Sequence, residues 1–299
     1  MTSLAQRGWI FLTGCLFSLI WASAFIAGKV ALPYSAPISL LCARFAAAGS
    51  LMLVWLLISG QAGVLQKPSL WRDALVLGIF NQALYLGLSF KGLKFVSAEA
   101  VVLIVSMAPF FTMAASALLG TAISWRQIVG VLTGFAGVCL VLSVRIVGGD
   151  DPTGMLLVLL GTLSFAAGTV WYRYRAAHHP PLALNALQNL AGTLALLPFS
   201  PTLPESFASL KHPDYALAFL HLVLLVSILD FMIWLALLRR IGAAQAASFH
   251  LLNPVFGIFL AALVFGTPLR TTDLIGAVIV MLGLALASFG GVRGEGSDG

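Results

Sequence analysis

Asp230 is the only charged side chain in the apolar run 215–238. An ionised carboxylate at the centre of a bilayer-spanning helix costs about 3 kcal/mol on insertion scales. Such a group is kept where it holds a ligand, exchanges a proton or pairs with a neighbour, here His250 or an inner arginine. His250 is the second candidate, because a neutral imidazole both donates and accepts and titrates near working pH. A lone histidine on an apolar helix also serves as a plain packing residue. Asn81 and Tyr85 are four apart in an apolar run and share one helix face, so their polar atoms need a common partner away from lipid. Trp21 and Trp234 add broad amphipathic rings. Walls of this kind suit aromatic side chains and hold flat cations by cation–π contact. Together Trp21, Asn81, Tyr85, Asp230, Trp234 and His250 are expected to face one central cavity and bind substrate.

Three further residues point to movement. Arg44 lies about two turns inside its run, too deep for simple snorkelling; it is expected to pair with Glu99 or helix-end carbonyls, or to act as a gate. Pro109 and Pro254 fall inside long apolar runs. Proline lacks a backbone donor and clashes with the preceding turn, so a local break is expected at each.

The elements that would carry these residues are apolar runs at 8–28, 45–66, 74–90, 100–125, 127–144, 152–172, 182–203, 215–238, 241–269 and 274–292. Most reach the roughly 20 residues that cross about 30 Å of hydrocarbon. With 60% hydrophobic and 9% charged residues, and a mean hydropathy of +1.03, the chain is no ordinary soluble domain. The runs are continuous rather than alternating, which excludes a closed barrel. The expected class is an all-α membrane protein of ten transmembrane helices.

The second half repeats the first. Ser106-Met107-Ala108-Pro109-Phe110 answers to Leu251-Leu252-Asn253-Pro254-Val255, Leu93-Lys94 to Leu238-Arg239, and Gly130 and Gly137 to Gly276 and Gly283. Five spans per half put the second copy in the membrane upside down. Two inverted five-helix repeats usually serve alternating access around a midplane site. The halves are read as 1–148 and 149–292, joined at Gly148-Gly149-Asp150-Asp151-Pro152, with 293–299 a disordered tail. The Gly130/Gly134/Gly137 and Gly276/Gly283 helices are otherwise aliphatic. Small residues there allow close helix contact, either as scaffold or as a homodimer face. The polar stretch 200–214 is expected to be a solvated external loop.

Charge placement gives the orientation. Arg7, Lys67, Arg72, Arg126, Arg173, Arg175, Arg239, Arg240 and Arg293 fall on one side, against Lys29, Lys91, Lys94, Arg145, Lys211 and Arg270 on the other. The positive-inside rule makes the first side cytoplasmic, with both termini there and the protein in the cell (inner) membrane. The net charge of +6 is scattered at span ends, with no basic stripe for nucleic acid. Ala22-Ser23-Ala24 looks like a cleavage site, yet a single Arg7 precedes it, and the first span is read as retained. Cys15, Cys42 and Cys139 lie within spans and read as packing residues. No phosphate loop, metal-spaced His/Cys set or nucleophile elbow occurs, so no enzyme, metal or cofactor is expected.

The residues also resemble a known family. Trp21-Ala22-Ser23-Ala24-Phe25 with Lys29, Pro37 and Arg44-Phe45 looks like the opening of EamA-type members of the drug/metabolite transporter superfamily. Gly92-Leu93-Lys94-Phe95-Val96-Ser97-Ala98-Glu99-Ala100 and Leu238-Arg239-Arg240-Ile241-Gly242-Ala243-Ala244-Gln245-Ala246 follow the same pattern in the two halves. The resemblance spans almost the whole chain, and within the superfamily it is greatest to YddG-like amino acid exporters. It implies ten helices, cytoplasmic termini and export of small metabolites or drugs. After Gly120 and Gly266 the family's frequent Glu is missing, so no role for it carries over. The expected function is a secondary transporter exporting amino acids, aromatic or other neutral ones, and similar small metabolites across the lipid bilayer. The alternatives are a multidrug or organic-cation exporter and, from another class, an integral membrane lipid-modifying enzyme.

Overall fold

The computed structural model describes residues 4–92, 95–96, 98–143, 151–200 and 202–289. A few side chains at helix ends, Glu99 among them, fall outside that set, as do the register pair Leu93-Lys94, residues 148–150 of the expected hinge and the tail 293–299. All regular structure among the described residues is helical. The helices are α1 (Leu4–Ala31), α2 (Pro37–Ile58), α3 (Pro68–Gly92), α4 (Ala100–Leu118), α5 (Trp125–Ser143), α6 (Pro152–Ala176), α7 (Pro181–Phe199), α8 (Pro213–Ile241), α9 (Ala243–Phe265) and α10 (Thr271–Phe289). Among the described residues α1 to α9 are long and apolar enough to cross a membrane, and in α10 the apolar stretch Thr271–Ala287 is shorter.

Their starts follow local chemistry. Proline opens α2, α3, α6, α7 and α8, where its fixed φ suits the helix and its missing donor costs nothing. At α6 the Asp151 carboxylate accepts the Thr153 amide at 2.7 Å, so this part of the expected hinge is a helix cap.

Three helices change pitch along their length. In α3 the segment Gly78–Leu86 is π-helical, as are His221–Asp230 in α8 and Tyr172–Ala176 at the end of α6. The first two are equivalent under the repeat, and they carry Asn81, Tyr85 and Asp230. A π segment leaves carbonyls unevenly bonded, and side chains take up two of them. Ser164 donates to the Phe80 carbonyl at 2.9 Å, and Asn185 donates to that of Ser227 at 2.9 Å.

Both prolines sit at breaks. The chain turns at Ser106–Met107 before the segment Ala108–Leu118, and α9 runs as a tight 3₁₀ stretch, Ser248–Leu252, before Asn253–Phe265. Each segment ends on a glycine with positive φ, 85° at Gly120 and 66° at Gly266, a conformation that spares glycine the Cβ clash.

The glycine-rich helices α5 and α10 lie on each other, antiparallel, at backbone contact. A Cβ on Gly130 would lie 2.6 Å from the Gly283 carbonyl oxygen, and one on Gly137 would lie 2.8 Å from that of Gly276. This is the scaffold role that the glycine spacing allows. The glycine faces meet inside one chain, because close approach is what holds helices together where lipid removes the hydrophobic drive. The stretch 200–214 also differs from a plain solvated loop. It forms a short helix, Leu203–Ala208, whose buried Ser206 bonds Ser35 at 2.5 Å, while Ser209 donates to the Tyr34 carbonyl at 2.9 Å. Its hydroxyls clamp the α1–α2 turn.

Gly283→Val is expected to lower stability by about 3 kcal/mol or more, because the added atoms would fall 2.2 Å from the Gly134 amide. Gly63→Ala, with nothing within 4 Å, should change it by less than about 0.5 kcal/mol. Thermal unfolding of the detergent-solubilised protein measures both.

Candidate functional site

A cavity of about 740 Å³ lies between the halves. It reaches the surface where α1 ends, at Leu32 and Pro33, and where α9 ends, at Phe265 and Thr267. Lys29 stands at this mouth with its ammonium 4.5 Å from the Phe265 ring centre. Deeper wall residues include Trp21, Arg44, Tyr85, Ser89, His250 and Asn253, and Pro254 lines it beside them. Among the described residues the wall holds Lys29 and Arg44 and no carboxylate.

The closed end is a box of rings drawn from both halves. Phe165 of α6 lies 4.7 Å from Tyr85, 6.0 Å from Trp21 and 5.8 Å from Trp234, centre to centre. Phe17 of α1 stacks on Trp234 at 5.0 Å, with an interplanar angle of 18°. His250 sits among them, its ring centre 5.0 Å from Trp234, 5.1 Å from Phe17 and Phe165, and 5.2 Å from Trp21. Edge-to-face contacts of this kind add about 1 kcal/mol each beyond area burial.

The structure brings three of the six expected site residues to the cavity wall. Trp21, Tyr85 and His250 line it; Asn81, Trp234 and Asp230 do not. Trp234 is the outer layer of the ring box, 1% exposed. Asn81 is wedged against α6, its Oδ1 2.2 Å from where a Gly168 Cβ would stand, and that oxygen has no hydrogen-bond partner among the described residues. Pro109 also lies outside the wall. Asp230 is fully buried, and among the described residues neither of its oxygens has a hydrogen-bond partner. The cation acting on it is Arg44, whose Nε donates at 2.7 Å to Ser227 Oγ, three residues before Asp230 on the same helix. Arg44 thus joins the cavity wall to the buried carboxylate, with Ser227 as a described partner; the expected partner Glu99 lies outside the described side chains.

Behind this pair the amides of α7 are structural. Asn185 Oδ1 accepts from Gln188 at 2.9 Å and from Asn189 at 2.8 Å, while its amide holds the Ser227 carbonyl. On the other flank His221 Nε2 bonds Ser23 Oγ at 2.8 Å.

The opposite end of the molecule is shut by a seal that the sequence reading missed. Asp73 Oδ2 bonds His179 Nε2 at 2.9 Å, and its Oδ1 accepts Arg72 Nε at 2.9 Å. Arg239 donates to the His179 carbonyl, and Arg173 to the Arg239 carbonyl at 3.1 Å. Tyr172 donates to the Leu235 carbonyl at 3.3 Å, and the Arg240 guanidinium lies 4.2 Å from the Trp9 ring centre. Tyr172 is therefore part of this seal. Phe17, four before Trp21, and Asn253, three after His250, were legible as same-face neighbours of residues already singled out. Asp73 and His179 gave no local signal, being ordinary polar residues at span ends.

Comparison with known proteins agrees with this architecture. The model of the EamA-like transporter family matches residues 8–143 and again 152–289. The chain is similar to the uncharacterized inner membrane transporter YedA of Escherichia coli (strain K12), 27% identical over 282 residues that cover 93% of this chain and 91% of that protein. It is also 27% identical over 292 residues to a probable amino-acid metabolite efflux pump of Salmonella typhimurium, covering 92% and 93%. A solved protein structure aligns with a TM-score of 0.79 over 94% of this chain and 97% of its own, at 22% identity, a likeness of fold.

Arg239→Ala removes a link that ties α8 to the α6–α7 turn. A cysteine placed at Leu235 is expected to gain labelling by a membrane-impermeant maleimide from the sealed end at least several-fold. Labelling equal to that in the intact background would mean the seal holds without this arginine.

Proposed function

Because the chain belongs to the EamA-like transporter family, we propose that it is a secondary transporter exporting amino acids, aromatic or other neutral ones, and similar small metabolites by alternating access. The observation that carries this reading is the cavity: open at one end, floored by aromatic rings, and holding Arg44 in its wall. A guanidinium there suits a ligand carboxylate, while the rings suit an apolar side chain. The same wall disfavours the organic-cation alternative, since a cation would meet Lys29 and Arg44 and, among the described residues, no acid to balance them. The name of the Salmonella relative supports amino-acid efflux. The relatives named as transporters, and the lack of a nucleophile–base pair in the wall, weigh against a lipid-modifying enzyme.

The topology belongs to the same proposal. We infer ten spans in two inverted repeats, with both termini in the cytoplasm. Supporting this, the repeat-equivalent helices α5 and α10 run antiparallel, and the repeat-equivalent threonines sit at opposite ends. Thr121 bonds Tyr174 at the sealed end, and Thr267 stands at the cavity mouth. The sealed end carries the arginine-rich side and is the cytoplasmic one, so the cavity is open outward. Pro109 and Pro254 are the hinges on which α4 and α9 bend, and Asp230 is the charge that Arg44 shares with the substrate.

Counterflow of labelled phenylalanine into purified-protein vesicles tests the reading. Uptake should exceed that of protein-free vesicles at least tenfold and be outcompeted by leucine but not by tetraphenylphosphonium. Uptake of the cation alone would favour the multidrug alternative. Asp230→Asn should cut counterflow at least tenfold while the protein stays folded, and Tyr85→Phe should cost less than about threefold, since it removes one hydroxyl and leaves the ring.

A further inference from the structure

His250 and Asn253 stand at the break in α9, and one hydrogen bond fixes the state of both. The Asn253 side-chain amide donates to His250 Nδ1 at 2.9 Å. The ring is therefore neutral here, with its proton on Nε2. Among the described residues Asn253 Oδ1 has no partner, although the residue is 7% exposed and lines the cavity. An amide turned half round would present that oxygen to Nδ1 instead. It could then accept from a protonated ring.

The four rings around His250 stand steeply to its plane, at interplanar angles of 65° to 87°. An aromatic face turned toward a cation stabilises it by about 0.5–2 kcal/mol. The box can favour an imidazolium or a ligand ammonium. Two cations a few ångströms apart in a poorly hydrated site repel by several kcal/mol, so it cannot hold both. The remaining charged and titratable groups sharpen the choice. Arg44 and Lys29 share the wall and add positive potential, and Tyr85 shares it as a neutral hydroxyl. Asp230, one turn before Trp234 on the helix packed against the ring, stays out of the wall and under the charge of Arg44.

We propose that His250 and Asn253 form a proton-for-ammonium exchange site, a step that rests on the amino-acid reading above. With the ring neutral, Asn253 Oδ1 accepts from the substrate ammonium while Arg44 holds its carboxylate. A proton from the open side then bonds Nδ1, the Asn253 amide turns its oxygen to that N–H, and the ammonium leaves carrying its own protons. In the ring box one positive charge replaces another, while the departing zwitterion carries no net charge, so each exchange moves one net positive charge inward. In the outward-open state the exchange releases substrate, and the proton returns inward in its place.

The test is binding of phenylalanine to the purified full-length protein in detergent across pH 5 to 8.5, with proton release read by an indicator dye in weak buffer. On the acid side of the ring's midpoint, affinity should fall about tenfold per pH unit, with one proton released per phenylalanine bound. 3-Phenylpropanoate, which lacks the ammonium, should release none. Asn253→Asp supplies a permanent acceptor for Nδ1–H and should raise the midpoint by at least one pH unit. Any binding left in His250→Gln should be independent of pH. Phenylalanine binding to the wild type without proton release, or an unmoved midpoint in Asn253→Asp, overturns the exchange site alone. No binding of either ligand by the wild type overturns the amino-acid reading, and the exchange site with it.

Discussion

Hydrocarbon offers no hydrogen-bond partner, and most of what is unusual in this molecule is an answer to that constraint. Where α3 and α8 widen into π-helix, Ser164 and Asn185 reach across from neighbouring helices to take the displaced carbonyls. Where α9 breaks ahead of Pro254, the irregular backbone lies against the cavity and not against lipid. Asp230 is tolerated because Arg44 lies across from it, and Arg44 is tolerated because one edge of the same side chain faces the cavity. Each departure from a plain helix is placed where another part of the chain can meet it.

The same constraint separates parts that hold from parts that can move. The α5–α10 contact is backbone on backbone, and no side-chain rearrangement can loosen it. The seal opposite the cavity is made of guanidinium-to-carbonyl bonds and one Asp–His contact near span ends. The exposed guanidinium of Arg173 exchanges readily with water, so each guanidinium-to-carbonyl bond is worth about 1 kcal/mol net, while Asp73 and His179 are buried and their contact costs more to open. Closing the cavity mouth and opening the seal therefore asks for a modest exchange of polar bonds around a rigid pair.

Much of this was legible in the residues. Apolar run lengths gave the helices because hydropathy over about 20 residues is a strong signal, and Pro109 and Pro254 marked the breaks because proline removes a donor wherever it stands. Trp21, Tyr85 and His250 were traceable to a shared wall as amphipathic residues deep in apolar runs. The partner of Arg44 was not legible, since Ser227 lies 183 positions away and looks like any other span serine. Nor could spacing tell that Asp230 and Trp234 stand behind the wall. Face periodicity assumes 3.6 residues per turn, and the π segment ending at Asp230 shifts the register just before them.

The α5–α10 contact has one more property. Under the repeat, Gly130 corresponds to Gly276 and Gly137 to Gly283, so exchanging the two halves turns the Gly130–Gly283 contact into the Gly276–Gly137 contact. The interface maps onto itself, as the interface of a two-fold homodimer does. The two family matches, 8–143 and 152–289, thus meet along a self-matching seam inside a single chain. Joining frees each half to change alone. Lys29 at the cavity mouth, His250 and Asp230 each stand in one half only, an asymmetry that no assembly of identical copies could have acquired.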